Sequence, residues 1–175
     1  ATDERAGRFS GGFPAAETHI VPSATFGSRN PVAVARSLLK LWTGLRTASA
    51  LLRRLKPDVT IGFGGYPSVP PVLSATQAGW PSMIHEQNAV MGRANRFLAR
   101  RVGRIAAGIP QDKAPAELRD KIVVTGNPVR PAVLEAAKTP YRPSASGEAF
   151  NLVVFGGSQG AAFFSQVLPE AISLL

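Results

Sequence analysis

From Pro31 to Leu55 the sequence PVAVARSLLKLWTGLRTASALLRRL repeats apolar residues at three- and four-residue steps, a spacing that predicts one long helix. Asn30 supplies its cap, Pro31 suits the first helical position, and Pro57 bounds its end. Two stripes run along it. Val34, Leu38, Leu41 or Trp42, and Leu45 lie near one face with Arg36, Lys40 and Arg46 around them; Ala48, Leu51, Leu52 and Leu55 continue toward the second half. Such a face either packs on a sheet with solvated flanks or lays a basic-rimmed apolar surface on an anionic bilayer, and the pattern alone favours packing.

Beyond this helix the period shortens. DVTIGFGG, PSMIHE, RIAAG and KIVVTG are brief apolar runs that predict buried strands, and HIVPSATF upstream predicts another short strand and its exit. Between them, YPSVPPVLSATQAG predicts a loop and short helix closed by Gly79, and MGRANRFLARRV a further helix. This alternation predicts an α/β fold with a parallel sheet covered on both faces. Residues 138–149, KTPYRPSASGEA, lack periodicity and predict a linker; NLVVFGG then opens a new strand, and the residues after it a helix.

Composition narrows the class. Across 175 residues, 45% hydrophobic and 18% charged, the chain is globular rather than disordered. Cysteine is absent, which excludes a disulfide scaffold, a Cys-ligated zinc site and a thiol nucleophile. The opening ATDERAGRFSGGFP lacks the segments of a signal peptide, and no uncharged apolar run reaches spanning length, so a soluble chain is expected. Twenty Lys+Arg against eleven Asp+Glu give +9, which calls for an anionic partner: a membrane surface, a nucleic acid or a phosphorylated substrate. No alternation of aromatic and basic residues supplies a base-stacking platform, so nucleic acid is not expected. A metal site is not expected either, since only His19 and His85 exist and no carboxylate cluster accompanies them.

The chemistry-bearing residues sit where strands end. Glycine turns at Gly62, Gly64 and Gly65 and at Gly156, Gly157 and Gly160 would let backbone N–H groups approach phosphate, with Ser158 adding a hydroxyl, although glycine also serves tight strand-to-helix packing. Neither turn has the form of a P-loop or a full dinucleotide fingerprint. His85, Glu86, Gln87 and Asn88 follow a strand and precede a helix, where open α/β sheets bind ligands. They offer a proton acceptor, hydrogen bonds to sugar hydroxyls and an amide clamp; the plainer reading is a polar loop in which Glu86 or Asn88 caps the next helix. In VVTGNPVRPAV, Asn127 makes a turn with Pro128, and Arg130 either bonds a phosphate or carboxylate or pairs with Glu135.

Taken together and in order, KPDVTIGFGGYPSVPP, GWPSMIHEQNAVMGRANRFLA, VVTGNPVRPAV and VVFGGSQGA resemble the MurG family of bacterial N-acetylglucosaminyltransferases, from about Pro31 to Ala161. GGYPSVPP departs mildly from the Gly-Tyr-Val-Ser-Gly-Pro form common in that family. The resemblance implies a GT-B fold of two Rossmann-like domains. Residues 1–130 would be most of an N-terminal acceptor and membrane-binding domain, 131–150 an interdomain linker, and 151–175 the start of a C-terminal donor domain.

The family reaction moves N-acetylglucosamine from UDP-N-acetylglucosamine (UDP-GlcNAc) to the C4 hydroxyl of N-acetylmuramic acid in lipid I, giving lipid II with inversion. The resemblance implies that Asn88, Arg130 and Ser158 contact the donor, with Arg130 and the Ser158 turn near its diphosphate. Gly62, Gly64, Gly65 and Tyr66 would face the acceptor diphosphate, and Glu86 and His85 would assist catalysis. Gln87, Asn127, Gly156, Gly157, Gln159 and Gly160 would complete the cleft. Leu38, Trp42 and Leu45, with Lys40 and Arg46, become the membrane patch, so the resemblance reverses the preference for simple packing.

The implied partners are UDP-GlcNAc, the lipid I acceptor, an anionic inner-membrane surface and a cell-wall synthesis complex, on the cytoplasmic face of the plasma membrane. No tightly bound cofactor is implied, and the residues speak to no divalent-metal requirement. The family's Gly-Gly-Thr-Gly-Gly-His loop, which carries its favoured general base, does not occur in the sequence, so an internal fragment without turnover of its own is expected. The rival readings are a GT-B transferase with another acceptor and a non-catalytic α/β module that binds an anion.

Overall fold

The computed structural model describes residues 1–2, 17–24, 30–149, 152–154 and 161–174. The chain divides into two compact units, Ala1–Pro128 and Val129–Leu175. In the first unit, α1 (Pro31–Leu55) precedes β1 (Thr60–Gly62); a 3-10 turn, Tyr66–Ser68, runs into α2 (Val69–Gln77). Then come β2 (Ser82–Glu86), α3 (Arg93–Ala99), β3 (Arg104–Ala107), a second 3-10 turn (Ala116–Lys121) and β4 (Ile122–Val124). The strands lie side by side in sequence order and all pairs are parallel, as the α/β expectation requires.

The register sets the core. Gly62, Ile84 and Ile105 are successive partners across three strands, so these positions share one face; Ile84 and Ile105 have no exposed surface. Onto them pack Val69, Val72 and Leu73 of α2 and Ala94, Leu98 and Ala99 of α3, with Leu41 and Leu45 of α1 against the margin. Each fully buried Val, Leu or Ile contributes about 1.5–3 kcal/mol. Every crossover in this unit moves one strand in the same direction, and right-handed crossovers then put their helices on the same face. The sequence pattern predicts cover on both faces. Among the described residues the second face is covered only in part: Ile61, Phe63 and Val123 are exposed, while His85 and Ala106 on the same face are buried.

Helix α1 begins and ends as its sequence dictates. The Asn30 side chain accepts the Val32 N–H at 2.9 Å, Pro31 occupies the first turn, and Lys56 closes the helix in the left-handed conformation, φ 46°. Its buried residues are Gly44, Ala48 and Leu52. The small Gly44 lets the helix axis approach the 21–24 segment so closely that a Cβ there would overlap the Pro22 carbonyl. The Ser74 hydroxyl of α2 donates to the Leu45 carbonyl, 3.2 Å, locking the two helices side by side.

Three local expectations differ from the structure. HIVPSATF predicts a strand, but within 17–24 there is a single parallel bridge, Thr2 to Ile20, flanked by Val21 N–H to the Thr2 carbonyl at 2.8 Å. Pro22 has no N–H to extend a ladder, and Val21 is buried without one. The expected linker 131–150 contains a short helix, α4 (Pro131–Ala136), begun by a proline at its first position. Residues 152–154 of the predicted strand NLVVFGG form no ladder, and its remaining residues lie outside those described; α5 (Ala161–Ser173) follows as a helix.

Gly44→Ala should lower stability by about 1–3 kcal/mol, because the helix must retreat from Pro22 backbone that has no rotamer to yield. Chemical or thermal unfolding of the purified protein measures this. Ala50→Ser, at an exposed position of the same helix, should change little, and equal effects would contradict the close-approach argument.

Candidate functional site

Parallel strands all end at one edge, so the loops after β1, β2, β3 and β4 meet along a common carboxyl rim. Main-chain bonds continue the sheet into it: Gly108 N–H donates to the Glu86 carbonyl at 2.8 Å, and Thr125 N–H to Ala107 at 2.9 Å. Side-chain amides then join the loops. Gln87 Nε2 donates to the Phe63 carbonyl after β1, 3.1 Å, and Asn127 Nδ2 reaches from the β4 loop to the Gln87 carbonyl, 3.2 Å. Gln111, from the β3 loop, donates to the Asn88 carbonyl at 2.7 Å. Gly108 makes room for the Asn127 bridge, since a Cβ there would overlap the Asn127 amide.

Glu86 closes the β2 strand with its carboxylate 1% exposed. One oxygen accepts the Asn88 N–H and the Asn88 Nδ2, both at 3.0 Å; the other accepts the Gly92 N–H at 3.0 Å and Asn95 Nδ2 at 2.8 Å. Burial raises the carboxyl pKa, but the donors from Asn88, Asn95 and Gly92 together outweigh it and hold Glu86 below its ordinary value of 4.5. The group is therefore an ionised carboxylate with all its acceptor directions engaged. Asn95, 2% exposed, also donates to the His85 carbonyl at 3.1 Å, tying the first turn of α3 to the end of β2.

His85 is buried as well. Its Nε2 lies 3.1 Å from the Gly126 carbonyl, which can only accept, so the hydrogen is on Nε2; among the described residues the buried Nδ1 has no partner, and the ring stacks obliquely on Phe63 with centroids 5.6 Å apart. Gly62 ends β1 against Val72, where a Cβ would come within 2.7 Å. Gly64 and Gly65 follow at φ +82° and +70°, a left-handed pair open only to residues without a Cβ penalty, and Tyr66 begins the 3-10 turn behind them. The Ser68 hydroxyl sits 2.8 Å from the carbonyls of both Gly64 and Gly65 and holds the turn from below.

The structure thus gathers Gly62, Gly64, Gly65, Tyr66, His85, Glu86, Gln87, Asn88 and Asn127 at one rim. Arg130 belongs to the second unit, immediately before α4; among the described residues its guanidinium has no ion pair, and Glu135 pairs with Lys138 at 2.7 Å. Gly156, Gly157, Ser158, Gln159 and Gly160 lie outside the described residues. Sequence reasoning missed Asn95 and Gln111. Nothing in their spacing marks them, and only their arrival beside Glu86 and Asn88 gives them a role.

A groove of about 760 Å³ opens beside the 87–92 loop, lined by Arg93, Arg96, Arg100, Lys113, Val90 and Phe97. On α1, Leu38 and Trp42 are 54% and 53% exposed, the Arg46 guanidinium lies 4.7 Å from the Trp42 ring centroid, and Lys40 is exposed. Leu45 differs from the other two apolar positions: it is half-buried and packs against the core. Val32 and Leu39 are exposed beside them, so the outward apolar surface is displaced around the helix from the stripe read in the sequence. Among the described residues no helix is long and apolar enough to cross a membrane, and no three His, Asp or Glu side chains gather as a metal site.

Residues 3–107 match the model of the glycosyltransferase family 28 N-terminal domain. A Rhizobium johnstonii protein named UDP-N-acetylglucosamine--N-acetylmuramyl-(pentapeptide) pyrophosphoryl-undecaprenol N-acetylglucosamine transferase is 65% identical over 174 residues, which are 99% of this chain and 46% of the relative. A Mesorhizobium japonicum protein of the same name is 60% identical over 176 residues, 100% of this chain and 46% of its own length. The crystal structure of Acinetobacter baumannii MurG matches with TM-score 0.56 and 32% identity, over 79% of this chain and 37% of that one. The chain therefore spans about half the length of the curated relatives it matches.

The lowered pKa of Glu86 carries a pH signature. Its contribution to stability is complete above the unfolded-state value near 4.5 and is lost as pH falls through the lower folded-state value. Glu86→Gln should destabilise the protein by about 1–3 kcal/mol at neutral pH, because an amide nitrogen replaces an acceptor among buried donors. The gap between variant and wild type should narrow as unfolding is repeated from about pH 6 down to about pH 3. A gap independent of pH would show that the carboxylate is not ionised in the folded state.

Proposed function

We propose a function for this chain from one premise: it belongs to glycosyltransferase family 28, through its N-terminal domain. The whole protein transfers N-acetylglucosamine from UDP-GlcNAc to the C4 hydroxyl of N-acetylmuramic acid in lipid I, giving lipid II with inversion for peptidoglycan synthesis. The observation that supports this reading is the amide-laced carboxyl rim, found in a chain that shares most of its residues with relatives bearing that transferase's name.

In this reading the acceptor hydroxyl attacks the anomeric carbon as the bond to UDP breaks, the proton passes to a base, and UDP leaves with the bonding electrons. The left-handed Gly64–Gly65 turn, with Gly62 and Tyr66, offers main-chain N–H groups to the acceptor diphosphate. Asn88 presents its side-chain amide to a substrate sugar, and Gln87 and Asn127 keep that part of the rim in place. Arg130 and Ser158 offset charge on the donor diphosphate as UDP departs. Glu86 is not the base, since its carboxylate is buried and fully bonded, and His85 is closed off beneath Phe63 and Gly126.

The protein acts as a peripheral protein at the cytoplasmic face of the plasma membrane, among the enzymes of cell-wall synthesis. Leu38, Leu39 and Trp42 insert between headgroups while Lys40 and Arg46 meet anionic phosphates. Leu45 supports this surface from within the packed side of the helix.

The whole protein, given UDP-GlcNAc, should release UDP only when lipid I is present. Arg130→Ala should lower kcat/KM for UDP-GlcNAc about 10- to 100-fold, the loss of one charge-assisted bond to phosphate. UDP release without lipid I, or transfer to a soluble sugar in its place, would favour a different transferase.

For the membrane, vesicles containing anionic phospholipid should sediment the wild-type protein. A Leu38→Glu, Trp42→Glu variant with an unchanged circular dichroism spectrum should remain in the supernatant. Equal co-sedimentation of variant and wild type would remove α1 from the contact. Leu45 is left intact because its substitution would disturb the core as well.

A further inference from the structure

Asn88 is held in one orientation by a neighbour that allows no other. Glu86 Oε1 accepts from both the Asn88 main-chain N–H and its Nδ2, each at 3.0 Å. A carboxylate without a proton can only accept, so the amide nitrogen must face it and the amide oxygen must turn away. From the opposite side Gln111 Nε2 donates to the Asn88 main-chain carbonyl, 2.7 Å, which fixes the backbone on which that side chain stands. Asn88 is exposed at the rim, and among the described residues no donor reaches its Oδ1.

The other half of the Glu86 carboxylate anchors the far end of the same loop. Its Oε2 takes the Gly92 N–H and Asn95 Nδ2, so the loop is pinned at Asn88, at Gly92 and at the start of α3 by a single buried side chain. Four donors on two oxygens leave Glu86 nothing to offer a substrate directly.

We infer that Glu86 is a positioning residue that sets the polarity of the rim: it presents Asn88 as a hydrogen-bond acceptor, aimed at a hydroxyl or acetamido N–H of a substrate sugar. This deepens the transferase reading and rests on it. The ligand chemistry is a sugar donor group, found on both the nucleotide-linked and the lipid-linked substrate, and the kinetics tell the two apart. A freely rotating asparagine could meet either a donor or an acceptor; one locked by Glu86 accepts only, so it selects for sugars that carry the N–H or O–H at that point.

The test measures steady-state kinetics of the whole protein, varying UDP-GlcNAc and lipid I in turn. Asn88→Ala and Glu86→Gln should each raise KM for the same one substrate, by about tenfold, the order expected for one lost hydrogen bond with its partner left unpaired. The double variant should be much less impaired than the product of the two single effects, because both remove one oriented acceptor. Glu86→Gln should also keep the wild-type shape of the kcat/KM profile against pH. The substrate whose KM moves identifies the sugar.

Loss of the acid limb in Glu86→Gln would make Glu86 a proton-transfer group and overturn the inference; so would single effects that multiply, or that fall on different substrates. Should Glu86→Gln fail to fold, Asn88→Ala at its exposed position still decides: unchanged KM for both substrates overturns the inference. A wild-type protein that transfers no sugar would sink the transferase reading and this inference with it, whereas independent effects in an active enzyme sink the inference alone.

Discussion

A carboxylate taken out of water must lose its charge or be surrounded by donors. Glu86 takes the second course, and the rest of the rim follows from that choice. Its four donors come from Asn88, Gly92 and Asn95, so the chain must turn back over the strand end within a few residues and begin α3 with Asn95 facing inward. Asn95 then ties that helix to the His85 carbonyl. One buried charge thereby relates the end of a strand, the course of a loop and the first turn of a helix, three things that apolar packing alone would leave free to slide.

The kind of cross-link the rim uses is equally informative. Its bonds between loops come from neutral amides, Gln87, Gln111 and Asn127; of its carboxylates, Glu86 is hidden and Asp112, in the loop after β3, is exposed. Positive charge lies on α1 at Lys40 and Arg46 and, beside the 87–92 loop of the rim itself, around the groove at Arg93, Arg96, Arg100 and Lys113. Charge attracts at long range with little regard to orientation, while amides act only in contact and in one geometry. Both kinds of group occur in this unit: basic side chains on α1 and around the groove, and amides fixed in one geometry between the loops of the rim.

The sequence made the parallel sheet legible because each strand is a short apolar run closed by glycine or a polar cluster, as in IGFGG and MIHEQN. The rim residues were legible for the same reason, since parallel strands place their carboxyl ends together whatever the loops contain. The roles within the rim were not. Glu86 and Asn88 are both polar residues after a strand, and only their burial, 1% for Glu86 against an exposed Asn88, separates anchor from contact. Asn95 sits in a stretch read only as a helix, and Gln111 in a loop with no pattern at all. Of the expected 19–26 strand, the described residues 19–24 form a single bridge, Thr2 to Ile20, and Pro22 has no N–H with which to extend it.

Helix α1 shows why a hydrophobic stripe underdetermines a surface. Over 25 residues, roughly 37 Å of helix, its second half presents Gly44, Ala48 and Leu52 to the core, a small-residue face that allows close approach. Its first half carries apolar residues that cannot reach that core: Val32, Leu38, Leu39 and Trp42 are all more than half exposed. Exposed apolar surface forgoes about 25 cal/mol for each Å² left in water. Here the outward apolar residues are interleaved with Arg36, Lys40 and Arg46 and with no acidic residue. The packing face and the basic, apolar outer face are therefore different sides of one helix, so core packing of the one leaves the other outward.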